Sequence, residues 1–153
     1  MKISVLFGTE TGTAEMVAED LQRHLLVMND VKLANLEDVD PDELNGDEFY
    51  LVVCSTFGDG ELPATAQPFA ARLKKQQPDL SAVRFGIFGM GDSGYEATFN
   101  FGPKTLAEML TDAGAKQIGE RAMHDASGRE RPEDEVIPWA EKVLAEAAPL
   151  FAD

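Results

Sequence analysis

The residues with the clearest chemical potential lie in a short polar turn near the start of the chain, Gly8-Thr9-Glu10-Thr11-Gly12-Thr13-Ala14. The turn follows an apolar run at residues 3–7 and precedes an amphipathic stretch at residues 14–26, which predicts a strand-to-helix connection. Its backbone N–H groups and threonine hydroxyls can surround an anion at the positive end of the helix. The turn therefore predicts a site for a phosphate monoester, although helix capping alone would account for any single threonine.

A second candidate stretch is aromatic, glycine-rich and acidic, with the sequence Ser55-Thr56-Phe57-Gly58-Asp59-Gly60-Glu61-Leu62-Pro63. Because it directly follows an apolar run, Phe57 is expected at the rim of a sheet, and Gly58 can adopt backbone conformations that other residues avoid. Taken alone, the stretch is either an aromatic wall for a ligand or a glycine turn that happens to contain a phenylalanine.

The third candidate stretch follows another apolar run and reads Gly89-Met90-Gly91-Asp92-Ser93-Gly94-Tyr95-Glu96-Ala97-Thr98-Phe99-Asn100. Its first six residues match the pattern G-x-G-x-x-G, which in dinucleotide-binding proteins opens a helix directly after a strand, normally the first one. Here a loop containing Tyr95, Phe99 and Asn100 follows instead. We therefore do not interpret the pattern as a nicotinamide site.

Apolar strand patterns alternate with amphipathic helix patterns along the chain. Strands are predicted at residues 2–8, 31–36, 49–56, 83–89 and, more weakly, 117–123, and helices at residues 13–28, 67–76, 102–113 and 133–148. This alternation predicts a parallel sheet with helices on both faces. Right-handed crossovers favour the strand order 2-1-3-4-5, with the ligand site at the carboxyl ends of the strands. The three candidate stretches should therefore meet at one edge of the sheet.

Composition indicates one acidic domain. The 153 residues include 28 acidic and 13 basic residues, and the formal net charge of −15 argues against nucleic acid or anionic membranes as partners. The acidic surface either serves solubility or steers a basic partner. The single Cys54 can form no internal disulfide, and no apolar window approaches the roughly 18 residues of a membrane span. We therefore expect a soluble, cytoplasmic monomer.

The polar turn also supports a family resemblance. Thr9-Glu10-Thr11-Gly12-Thr13-Ala14 resembles the FMN-phosphate loop of flavodoxins, in the form found in the FMN domains of diflavin reductases of the sulfite reductase type. Ala14 matches this branch, since most flavodoxins have Thr or Asn there. The resemblance implies a three-layer flavodoxin-like α/β sandwich over residues 1–153 that binds FMN without a covalent bond. The start at Met1 and the acidic end at Asp153 favour a free-standing chain.

In the other two stretches the resemblance implies the walls of the flavin site. Phe57 and Tyr95 would cover the two faces of the isoalloxazine, and the Gly58 carbonyl would accept a hydrogen bond from reduced N5. The residues that it places around the flavin are Ser55, Thr56, Phe57, Gly58, Asp59, Gly60, Met90, Gly91, Asp92, Tyr95, Phe99 and Asn100. Asp125, after the fifth strand, matches an acidic residue near the flavin in related reductases, although a solvated turn accounts for it equally well. His24 and His124 are given no role.

The function that the resemblance implies is electron transfer. FMN would shuttle single electrons between a reductase and an acceptor protein, both with basic docking surfaces, without turnover of a substrate. Nearby carboxylates should oppose the step that leaves an anion on the flavin and so lower its potential. These carboxylates are Asp59, Glu61, Asp92 and Glu96.

Two other functions are each compatible with part of this pattern. A flavodoxin-like NAD(P)H-dependent quinone or nitro reductase would share the FMN loops, but such enzymes generally use longer insertions and a second subunit. A receiver domain would share the topology, but it needs acidic residues where this chain has Gly8-Thr9 and Ser55-Thr56. The sequence therefore favours the electron carrier.

Overall fold

A parallel β-sheet forms the middle layer of the protein, whose computed structural model describes residues 1–151. The strands are β1 (Lys2–Gly8), β2 (Asp30–Asn35), β3 (Phe49–Cys54), β4 (Arg84–Gly91), β5 (Lys116–Gln117) and β6 (Ala122–Asp125). Their order is β2-β1-β3-β4-β5, and β6 also pairs with β4. The predicted order 2-1-3-4-5 is confirmed, and β6 is a short addition to it.

Four helices cover the two faces of this sheet. They are α1 (Thr13–Leu25), α2 (Gln67–Gln76), α3 (Phe101–Asp112) and α4 (Pro132–Ala147). The apolar stripes of α1 and α4 pack on one face, and those of α2 and α3 pack on the other. All six residues of β3 are buried, since both faces of this central strand are covered. The predicted three-layer α/β sandwich is therefore confirmed, and no helix within residues 1–151 is long and apolar enough to cross a membrane.

Several predicted boundaries differ from the structure for local reasons. Helix α1 ends at Leu25 rather than at residue 28, and Val27 and Met28 are exposed. Strand β4 continues to Gly91 because its last residues pair with β6. The predicted strand at residues 117–123 is divided into β5 and β6, because Gly119 lies between them with φ +73°.

The register of the strands determines where the loops emerge. Gly8 pairs with Cys54, Cys54 with Gly89 and Gly89 with Met123, so four neighbouring strands reach the same level near their carboxyl ends. The segments that follow β1, β3, β4 and β6 therefore begin side by side at one edge of the sheet. Ligands of open α/β sheets bind at this edge.

Candidate functional site

A cavity of about 600 Å³ opens at the carboxyl edge of the sheet. Its lining comes from the segments that follow β1, β3, β4 and β6. The predicted site residues that line it are Thr9, Glu10, Thr11, Thr13, Ser55, Thr56, Phe57, Gly58, Met90, Gly91, Asp92, Tyr95, Phe99 and Asn100. The three stretches selected from the sequence thus share one cavity.

Five predicted site residues do not line the cavity. Gly12 precedes α1 with φ +100°, Ala14 is buried in the core beneath α1, and Asp59 is exposed. Gly60 has φ +91°, and a Cβ there would lie 2.9 Å from both Thr98 Cβ and Phe101 Cβ. This glycine is needed for close packing of its loop, and Asp125 has a different structural role, described below.

Eight further residues line the cavity but were not predicted from the sequence. They are Thr98 in the third stretch and His124, Ala126, Gly128, Arg129, Glu130, Arg131 and Pro132 around the end of β6. The sequence predicts the end of the last strand at residue 123, and the resemblance selects only Asp125 from the segment that follows it. The rule that ligands bind at the carboxyl ends of strands points to this whole segment, but it does not say which of its side chains face the ligand.

Thr9 organises the turn between β1 and α1. Its hydroxyl accepts a hydrogen bond from the Gly12 N–H at 2.8 Å, and its own N–H donates to Thr65 Oγ1 at 2.8 Å. The Glu10 carboxylate accepts a hydrogen bond from the Ala64 N–H at 2.8 Å. Helix α1 has no side-chain N-cap, so its first-turn N–H groups are left for an anion at the positive end of the helix.

The stretch after β3 forms a tight hairpin. The N–H of Phe57 donates to the Glu61 carbonyl, and the N–H of Glu61 donates to the Phe57 carbonyl, each at 2.8 Å. Gly58 lies at the turn with φ +53°, a conformation that favours glycine. This hairpin presents the Phe57 ring with 43% of the residue surface exposed.

The stretch after β4 is folded by its own polar groups. Asp92 Oδ1 accepts a hydrogen bond from the Gly94 N–H at 2.8 Å, and the Asp92 carbonyl accepts one from the Tyr95 N–H at 3.0 Å. Tyr95 is 53% exposed and lines the same cavity as Phe57. Two exposed aromatic rings and a phosphate-type turn within one cavity suit a ligand with a flat ring system and a phosphate.

Asn100 lies beneath the third stretch and is fully buried with φ +58°. Its Nδ2 donates to the His124 carbonyl at 3.1 Å, while Oδ1 has no hydrogen-bond partner within the described part of the chain. A Cβ at Gly89 would lie 2.4 Å from this oxygen, so only glycine there leaves room for the amide. Asn100 thereby connects the loop after β4 to the end of β6.

Asp125 connects the same two regions through its carboxylate. Oδ1 accepts hydrogen bonds from the N–H groups of Ser93 and Ser127, each at 3.0 Å, and from the Ser127 hydroxyl at 2.8 Å. Hydrogen bonding by Ser93 and by Ser127 holds the pKa of Asp125 well below that of an ordinary aspartate. Asp125 is thus neither a lining residue nor a merely solvated turn residue, because its carboxylate ties two loops of the site together.

Charges around the cavity are mixed, although the protein is strongly acidic. Of the four carboxylates expected around the flavin, only Asp92 lines the cavity. The charged residues of the lining are Glu10, Asp92, Arg129, Glu130 and Arg131. The cavity itself therefore lacks the acidic excess of the whole chain.

Comparison with known proteins identifies the family. A family model described as Flavodoxin matches residues 5–139. The chain belongs to the flavodoxin family. Flavodoxins bind FMN and transfer electrons. The predicted fold family, cofactor and electron-transfer function are therefore confirmed.

One solved structure and two longer proteins illustrate what this chain is similar to. A cysteine-to-alanine mutant of a flavodoxin from Pseudomonas aeruginosa is 33% identical with a TM-score of 0.81, covering 95% of this chain and 99% of that one. A pyruvate dehydrogenase [NADP(+)] from Cryptosporidium parvum is 42% identical over 148 residues, which are 90% of this chain and 8% of that protein. An NADPH-dependent diflavin oxidoreductase from Aspergillus fumigatus is 38% identical over 147 residues, covering 88% of this chain and 22% of that protein. This flavodoxin thus spans a small part of the length of these two relatives.

The Asp125→Asn variant tests the carboxylate connection. The pKa of Asp125 is lower in the folded protein than the value of about 3.9 in an unfolded chain, so the ionised carboxylate stabilises the fold at neutral pH. We expect a lower urea midpoint than wild type at pH 7. The difference should shrink as the pH falls below about 4 towards the folded pKa, where the stabilisation is lost. Asp59→Asn, at an exposed position, is the control, and equal midpoints for all three proteins at pH 7 would contradict the role of Asp125.

Proposed function

We propose that this flavodoxin passes single electrons from a reductase to an acceptor protein and turns over no substrate of its own. The observation that carries the proposal is the pair of exposed rings, Phe57 and Tyr95, at the mouth of the cavity beside the hydroxyl-rich turn. A flavin held between these rings would have its ring edge near the surface, where a partner protein can approach it. The one-electron chemistry is supplied by FMN when it is bound.

Within this proposal each loop has a separate task. The N–H groups at the start of α1 and the hydroxyls of Thr11 and Thr13 hold the phosphate. Phe57 and Tyr95 lie against the two faces of the ring system, and the Gly58 carbonyl accepts a hydrogen bond at the flavin edge. A rigid frame supports this arrangement, since the Thr56 hydroxyl donates to the Met90 carbonyl at 2.9 Å and joins the two ring-bearing loops.

The surroundings of the protein follow from charge and from its cysteine. A net charge of −15 would steer the protein towards basic docking surfaces on both partners. Burial raises the pKa of the Cys54 thiol, which keeps it protonated and unreactive. A lone inert cysteine is compatible with the reducing cytoplasm, where we place this protein as a monomer.

The carrier proposal predicts an absence of turnover. The FMN-loaded protein should show no steady oxidation of NADH or NADPH in the presence of a quinone, because the two rings would keep a hydride donor off both flavin faces. After chemical reduction, however, it should rapidly reduce cytochrome c, a basic one-electron acceptor. Steady NAD(P)H oxidation by the pure protein would instead favour the quinone reductase.

Tyr95→Ala should weaken FMN binding by about 2 kcal/mol, roughly 30-fold in Kd, because aromatic contact with the flavin is lost. Tyr95→Phe retains the ring and should bind FMN nearly as tightly as wild type. Both affinities can be measured from quenching of flavin fluorescence. An unchanged Kd for the alanine variant would show that Tyr95 does not cover the flavin.

Electron transfer to a basic partner should slow about tenfold between low and physiological ionic strength, since salt screens electrostatic steering. Neutralising the exposed acidic residues near the cavity should remove most of this dependence. The residues to change to the matching amides are Asp59, Glu61, Asp92 and Glu96.

A control variant with the same net charge neutralises acidic residues at the opposite end of the molecule, Asp30, Asp47, Asp112 and Glu146. Its stopped-flow rates should retain the salt dependence of wild type. Equal loss of salt dependence in both variants would show that total charge, rather than a docking face beside the flavin, controls association.

A further inference from the structure

His124 is a buried titratable group beside the cavity that the proposed electron transfer does not yet use. Only 3% of its surface is exposed, and it is one of the residues that line the cavity. Its ring stacks on Phe88 of β4, with 6.3 Å between the ring centroids and 18° between the planes. Both the strand pairing of β6 and this contact hold the ring in place.

The two ring nitrogens of His124 have different surroundings. Nδ1 lies 2.6 Å from Glu135 Oε1 on the first turn of α4. Nε2 has no hydrogen-bond partner among residues 1–151. It is not one of the side-chain atoms of that range that are both unpaired and completely buried. The side chain therefore has one nitrogen in contact with a carboxylate and one without a hydrogen-bond partner in the described residues.

Other charged groups lie on the elements that pack around His124 or share its cavity. Glu135 on α4 is the only one of them that contacts the imidazole through a hydrogen bond in the described structure. Arg121 donates to the Asn100 carbonyl at 3.0 Å, and Arg131 pairs with Asp134 at 3.1 Å. The remaining charged groups are Glu10, Asp92, Asp125, Arg129, Glu130 and Glu133.

We propose that His124 and Glu135 form a proton-accepting pair that takes up a proton when the bound flavin is reduced. The proposal deepens the electron-carrier function and rests on FMN binding in this cavity. Reduction adds negative charge inside the cavity, which favours a positive charge on an imidazole at its wall. The Glu135 carboxylate on Nδ1 supports the cationic ring in the way that carboxylates support protonated histidines elsewhere.

The proposed step balances in electrons and protons. The partner reductase supplies one electron, and solvent supplies one proton. The proton forms an N–H bond at Nε2, while Nδ1–H continues to donate to Glu135 and no bond to carbon or oxygen breaks. The negative charge added to the cavity is thereby neutralised without a change in covalent structure.

The chain contains its own control for this proposal. His24, the only other histidine, also pairs with a glutamate of α4, since its Nε2 lies 2.9 Å from Glu141 Oε1. This pair lies on the outside of the protein near the end of α1, away from the cavity lining. The His24 pair is more exposed and uses the other ring nitrogen, but it lies outside the cavity, so it serves as a control for a histidine–glutamate pair that is distant from the flavin site.

The first experiment follows both imidazoles by NMR in the FMN-loaded wild-type protein. The proton affinity of His124 should be about tenfold higher or more in the reduced than in the oxidised protein, whereas that of His24 should not change. The same His124 pKa in both redox states would overturn the proposal. Because this measurement needs no variant, it does not depend on the folding of a mutant.

The second experiment measures the one-electron potentials against pH for wild type, His124→Gln and His24→Gln. Protonation of the flavin itself contributes to the pH dependence of the potentials in all three proteins. In wild type and His24→Gln only, we expect an additional pH range over which the potential changes with pH. Glu135→Gln should shift that range to lower pH, because the imidazolium loses its carboxylate. Identical curves for wild type and His124→Gln would overturn the pair's role. Failure to bind FMN would overturn both this inference and the proposed function, whereas an FMN-loaded protein lacking the His124 shift would overturn only the inference.

Discussion

The alignment of four parallel strand ends is the constraint on which the rest of the site depends. Backbone pairing places Gly8, Cys54, Gly89 and Met123 at the same level across the sheet. The strands β1, β3 and β4 are almost wholly buried between the two helix layers, so a slip in their register would disrupt the packing of both cores. The packing of the core thus determines where the four loops begin, and the cavity forms between these loops.

Hydrogen bonds between the four loops then fix their positions around the cavity. Thr56 bonds to the Met90 carbonyl, the Ala126 N–H donates to the Gly91 carbonyl at 2.7 Å, and Asp125 binds Ser93. These contacts hold the ring-bearing loops from below, while Phe57 and Tyr95 remain exposed. A site prepared in this way loses little conformational entropy when it binds a cofactor.

Electrostatics divides the molecule into an acidic exterior and a mixed cavity. The exterior can steer partners over a distance, since its net charge is −15. Within the cavity, Arg129 and Arg131 offset two of the three carboxylates of the lining, which belong to Glu10, Asp92 and Glu130. The proposed proton uptake would add a positive charge at His124, beside Glu135. Association with partners and control of the flavin potential can therefore depend on different residues.

The fold class and the three stretches that meet at the cavity could be predicted from the sequence, because hydrophobic periodicity and glycine-rich turns are local signals. The strand order followed from the preference for right-handed crossovers. The prediction that the cofactor is FMN came from the resemblance of the turn after β1 to the phosphate loop of flavodoxins. Which side chains face the cavity depends on tertiary packing, since Ala14 lies in the core and Asp125 binds neighbouring loops instead. The tertiary structure also revealed His124, because contacts between residues distant in sequence leave no local pattern: its ring meets Glu135 only after β6 and α4 have packed on the sheet.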